Sequence, residues 1–75
     1  MTRLHHLTSR EVIRKLKKAG FIFDRQAKGS HEIWFNPGTR RWLTIPNHPG
    51  VEIAKGTLAA IIKEAGLTIE EFLEL

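Results

Sequence analysis

The chain has 75 residues, no cysteine and an apolar fraction of 41%, enough for a packed core and too much for a disordered chain. So small a globule buries only about 60% of its unfolded surface, which leaves room for one domain, and without thiols it has neither a disulfide staple nor a thiolate metal site. Its formal charge of +4 is divided: residues 1–50 carry ten Lys/Arg against Glu11, Asp24 and Glu32, and residues 51–75 carry two against five acids, an asymmetry that draws polyanions, nucleic acid foremost, or merely solubilises one face.

His5 and His6 open the chain as a polar tail. Thr8 and Glu11 then have capping-box spacing, and Leu7 and Val12 that of a hydrophobic staple, so a helix is predicted to start here. Val12, Ile13, Leu16 and Ala19 recur at helical spacing, and Gly20 supplies a left-handed stop. Arg10, Arg14, Lys17 and Lys18 fall opposite Val12 and Leu16 on this helix, as a solvated face or as a ridge facing phosphates.

Three strand-like runs follow: "FIFDRQ" (21–26), "HEIWF" (31–35) and "RWLTIP" (41–46). "AKGS" and "NPGTR" separate them as turns, and Pro46 closes the third. Pairing Trp34 with Trp42 sets Ile33 opposite Leu43 and gathers Ile33, Phe35, Leu43 and Ile45 on the face beneath the helices. Both tryptophans then lie side by side on the other face with Glu32 and Thr44, as cross-strand packing, an oligomer contact or a base-stacking surface. "NHPGVEIAKG" (47–56) reads as a loop. Leu58, Ile61, Ile62 and Ala65 mark a second helix ended by Gly66. Thr68 and Glu71, with Leu67 and Phe72 as staple, open a short terminal helix. The order α–β–β–β–α with a C-terminal helix predicts an α+β fold, a three-stranded antiparallel sheet with both main helices on one face.

Of the four histidines, His5, His6, His31 and His48, none has a partner at metal-ligand spacing, and no glycine-rich phosphate loop or nucleophile elbow is present. No metal or cofactor is expected. His31 stands apart in the stretch "KGSH", at the mouth of a strand, with Arg25 and Lys28 upstream. Gly29 lets the backbone turn tightly and leaves room for a phosphate to approach. An imidazole beside cations suits RNA cleavage without metal, because a base removes the ribose 2′-OH proton while cations stabilise the phosphate. A structural hydrogen-bonding histidine at a strand start is the competing reading.

"SREVIRKLKKAGF", "KGSHEIW", "TIPNH" and "EIAKGTLAAIIKEAGLTIEEF" together resemble the HicA toxin family, from Ser9 to Phe72. Gly29-Ser30-His31 followed by Ile33 and Trp34 is the most specific segment, and Gly56-Thr57-Leu58 with Ala65-Gly66-Leu67 is also characteristic. The resemblance implies a double-stranded-RNA-binding-like fold in one domain over 1–75, with its core at about 8–67 and a helical extension at 68–75. It further implies an mRNA interferase, a metal- and ribosome-independent endoribonuclease that halts translation. His31 would be its catalytic residue, and a HicB-type antitoxin its partner. On this reading Gly29, Ser30, Lys28 and Arg25 contact RNA, and His48 is either a second acid–base group or a loop cap. Three features depart from the family pattern. Arg25 stands one residue further from Gly29 than is usual, Phe35 replaces a polar or basic residue, and "NPGTR" replaces a His-Pro-Asp-Gly turn.

A non-catalytic RNA-binding module is the alternative, although "EIAKGTLAAI" offers only Lys55 where such modules have a lysine-rich helix start. A small subunit gripping a protein partner through its tryptophans and acidic C-terminal helix is a third. No apolar run reaches membrane-spanning length and no signal-peptide core is visible, so a cytoplasmic location is expected.

Overall fold

Side-chain caps decide where two of the three helices begin. In the computed structural model, which describes residues 6–75, the order is β1 (Leu7–Thr8), α1 (Ser9–Lys18), β2 (Ile22–Gln26), β3 (His31–Asn36), β4 (Arg41–Pro46), β5 (Glu52–Ile53), α2 (Lys55–Glu64) and α3 (Ile69–Leu73). Residues 1–5 lie outside the described residues, and with them the expectation for His5. At α1 the Glu11 N–H donates to Thr8 Oγ1 (3.3 Å) while the Thr8 N–H donates to Glu11 Oε1 (2.9 Å), so each side chain satisfies a backbone donor that the helix leaves free. Thr68 and Glu71 repeat the arrangement at α3. Gly20 (φ +104°) and Gly66 (φ +78°) take the left-handed conformation that ends α1 and α2.

β2, β3 and β4 form a three-stranded antiparallel sheet in that order. Its helix-side face presents Trp34, Leu43 and Ile45 to Val12 and Leu16 of α1, Leu58, Ile61 and Ile62 of α2, and Phe72 of α3, all in one buried cluster. The fold is α+β, as the element order predicts. Segment 47–56 departs from the loop expectation: β5 pairs with β1, Leu7 opposite Ile53 and Thr8 opposite Glu52, and this short ladder ties the start of α1 to the start of α2.

The strand register corrects the sequence reading by one residue. Trp34 opposes Leu43, Phe35 opposes Trp42 and Ile33 opposes Thr44. Because strand side chains alternate, this shift exchanges the faces of β3. Trp34 is only 4% exposed and belongs to the core, whereas Ile33 and Phe35 lie with the 51%-exposed Trp42 on the open face, so the two tryptophans are not neighbours.

The turn between β3 and β4 sets this register. It spans four residues, 37–40, with the Arg40 N–H donating to the Asn36 carbonyl (2.6 Å) and Arg40 itself left-handed (φ +61°). Buried Asn36 braces it, accepting the Gly38 N–H (2.9 Å) and donating to the Ala19 carbonyl (3.1 Å). In β2 a bulge between Phe23 and Arg25 changes the facing. Phe23 meets Trp34 edge-on at 5.7 Å, and Arg25 opposes Ile33 on the open face.

Candidate active site

The turn joining β2 to β3, residues 27–30, is held by its ends and by a side chain. The Ala27 N–H donates to the His31 carbonyl (2.8 Å), and the His31 N–H to the Lys28 carbonyl (3.3 Å). Gln26 Nε2 donates to the carbonyls of Gly29 (3.1 Å) and His31 (2.8 Å), clamping the turn from within. Gly29 is left-handed (φ +66°), and no atom lies within 4 Å of where a side chain would begin, so its outer surface is open to approach. On the other side the Asn47 N–H donates to the Ser30 carbonyl (2.9 Å), extending the β3–β4 ladder one residue past His31.

His31 opens β3 and is exposed. Its Nδ1 lies 3.2 Å from the Lys28 carbonyl oxygen. A carbonyl only accepts, so Nδ1 carries the proton in this contact, and in the neutral ring Nε2 keeps the free lone pair. No described residue hydrogen-bonds to that nitrogen. An imidazole fixed at one nitrogen and open at the other has the form of a general base.

Ser30 is turned elsewhere. Its Oγ is 2.9 Å from Nε2 of His48, so these two residues form a pair, and no direct bond joins His48 to His31. Glu32 is fully engaged, accepting from Trp34 Nε1 (3.0 Å) and Asn47 Nδ2 (2.6 Å), and offers His31 no carboxylate. Arg25 pairs with its neighbour Asp24 and holds its guanidinium 5.8 Å from the centre of the Trp42 ring. Lys28 is exposed, on the turn itself. The structure therefore brings Lys28, Gly29, Ser30 and His31 to one end of the sheet, joins His48 to them only through Ser30, and leans the Arg25 guanidinium away from them toward Trp42.

The α1 cations approach from the helix side. Ser9 Oγ donates to the Pro46 carbonyl (2.7 Å), and Pro46 is the ladder partner of His31, so the start of α1 is fastened to the site end of the sheet. Arg10, Arg14 and Lys17 line a depression of about 310 Å³ along α1 with Glu11 and Ile13. Arg10 also borders one of about 480 Å³ that reaches Asn47, Pro49 and Gly50. Lys17 lies 5.8 Å from the Trp34 ring, and Arg41 donates to the Glu64 carbonyl (3.3 Å), so part of the basic charge serves the fold. Thr8 holds the Glu11 carboxyl below the usual carboxylate range by its backbone and side-chain hydrogen bonds, so this acid stays charged as part of the cap.

Gln26 and Asn47 are the site residues that sequence reasoning passes over. Asn47 becomes visible once the register is known, because it falls opposite Ser30; nothing in the pattern of residues marks Gln26 as a clamp.

No curated protein matches the chain significantly. Among the described residues, no helix is long and apolar enough to cross a membrane. The family model of "HicA toxin of bacterial toxin-antitoxin" matches residues 9–67, a span that begins with α1, includes the turn before His31 and ends just past α2. The chain thus belongs to the HicA toxin family, the toxin side of a toxin–antitoxin system, and an antitoxin is its partner.

Proposed function

We propose that this toxin is an endoribonuclease that cleaves mRNA with His31 as general base and so halts translation. The observation that carries the reading is the fixed tautomer of His31, with Nδ1–H directed to the Lys28 carbonyl and Nε2 open to solvent. Nε2 takes the proton of a ribose 2′-OH, and the freed oxygen attacks the adjacent phosphorus. The bond from phosphorus to the 5′-oxygen breaks, leaving a 2′,3′-cyclic phosphate and a 5′-OH whose proton comes from protonated His31 or from water. Lys28, on the turn itself, stabilises the charge on the phosphate, the open side of Gly29 admits it, and Arg25 contacts the RNA further along the sheet, beside Trp42. His48 holds the turn through Ser30, a positioning role, and the reaction asks no metal of these residues.

The same turn is the surface that a HicB-type antitoxin would cover, since blocking Nε2 suffices to silence a single base. Cleavage of an unstructured RNA in the presence of EDTA tests the reading. Wild type is expected to yield fragments ending in 2′,3′-cyclic phosphate, and a folded His31→Ala variant to be slower by at least about 100-fold, the usual scale of general-base catalysis. Equal cleavage by both would refute it.

A further inference from the structure

The register leaves an aromatic surface on the same sheet face as His31, further along β3, that the ribonuclease reading does not use. Phe35 and Trp42 are cross-strand partners with ring centres 4.3 Å apart and planes at 37°. The Arg25 guanidinium lies 5.8 Å from the Trp42 ring centre, reaching across β3 from the far strand. Ile22 (53% exposed) and Trp42 (51%) face outward here, while the helices pack on the opposite face. We propose that this open face is a stacking platform for the bases of single-stranded RNA, and that it positions the strand whose phosphate reaches His31. The proposal rests on the ribonuclease reading and extends it to the class of substrate.

Three observations favour this occupant. First, charge on the face is cationic or neutralised: Glu32 turns to the helix side, where Trp34 and Asn47 bind it, and Asp24 is paired with Arg25. Second, a planar guanidinium beside an indole continues as a stack when a base joins it, and every base has a face to offer. Third, the platform is continuous with His31: Phe35 lies four positions further along β3, about 14 Å of strand, and His31 and Phe35 share one face. Duplex RNA keeps its base faces stacked inside the helix, so a platform of this kind selects unpaired strands.

The two tryptophans provide the assay. A short, unstructured 2′-O-methyl RNA strand has no free 2′-OH and cannot be cleaved, so its binding is read apart from chemistry. The strand is expected to quench tryptophan emission in wild type, and the same sequence as a duplex to quench little. Trp42→Phe retains a ring for stacking; its remaining emission, from buried Trp34, is expected not to respond while affinity stays within a few-fold of wild type. Trp42→Ala is expected to lose about 5- to 100-fold in affinity, the range for one base–aromatic stack.

Unchanged strand affinity in Trp42→Ala, or equal binding of duplex and strand, would overturn the platform. Unchanged RNA affinity together with lost antitoxin binding would overturn it and assign the face to the protein partner. Cleavage of unmodified RNA is measured in parallel. Strand-specific quenching without cleavage would leave the platform standing and remove the ribonuclease reading, whereas cleavage indifferent to Trp42→Ala would remove the platform alone.

Discussion

Replacing the two tryptophans in turn tests the register on which the site rests. Trp34 is 4% exposed, touches Phe23 edge-on and donates its indole N–H to Glu32. Truncating a buried indole to alanine costs about 3–5 kcal/mol. A 75-residue domain at about 0.05–0.15 kcal/mol per residue has only about 4–11 kcal/mol in total, so Trp34→Ala is expected to leave the protein marginal or unfolded. Trp34→Phe keeps most of the buried ring and loses the bond to the carboxylate, about 1.5 kcal/mol at this partly buried position. Trp42, half exposed, gives up chiefly its contact with Phe35, so Trp42→Ala is expected to cost about 1 kcal/mol. Urea denaturation followed by far-UV circular dichroism reads all three variants without depending on tryptophan emission. If Trp42→Ala costs as much as Trp34→Ala, the two rings share one environment, as the other register requires, and the reasoning fails.

Other consequences can be checked in the same way. Thr8→Ala removes one half of the α1 capping box and is expected to cost about 1 kcal/mol in thermal or urea unfolding. Because Glu11's folded-state pKa is depressed, its contribution is present above the ordinary carboxylate value and lost as pH falls through the folded one. Glu11→Gln is therefore expected to flatten the acid limb of stability against pH. Gly29→Ala meets no atom but places a side chain at φ +66°, about 1–2 kcal/mol of strain, and Gly29→Asn, which tolerates that conformation, is expected to recover much of it. Ser30→Ala and His48→Ala each remove the same hydrogen bond, so in a double-mutant cycle the double variant is expected to lose no more than the larger single loss in cleavage rate. For binding to the 2′-O-methyl strand, Arg25→Gln is expected to lower the slope of log affinity against log salt by about 0.7, the share of one phosphate contact.

Much of the fold is legible because local signals are strong. Thr8 with Glu11, Thr68 with Glu71, Gly20 and Gly66 each act within a few residues of chain, and each does in the structure what its spacing predicts. Register is different, because it depends on a comparison between strands. Ile33, Trp34 and Phe35 are apolar in succession, as are Trp42 and Leu43, so alternation favours neither face of β3. The deciding residues are Asn36, which draws in the Ala19 carbonyl, and Arg40, which takes the left-handed position in a turn where Gly38 looks the more suitable. The short β1–β5 ladder has two residues on each side, too few for any periodicity to declare itself. At the site, the "KGSH" stretch is readable as a motif. The tautomer of His31, the pairing of Ser30 with His48 and the hold of Gln26 depend on where carbonyls point, and residue types do not encode that directly.

The extra residue in β2 makes chain length there a constraint in its own right. In a regular strand Phe23 and Arg25, two residues apart, would look the same way; with the bulge between them, one borders the core and the other overhangs the open sheet. Substitutions at Asp24 alter charge and leave that division intact. Removing Asp24 would restore plain alternation and force a choice: either Phe23 leaves Trp34, or Arg25 and the whole turn toward His31 rotate to the wrong side. The segment should therefore accept point changes more readily than a single-residue deletion, and homologues that lack the bulge must carry their arginine at a different distance from the histidine to reach the same face.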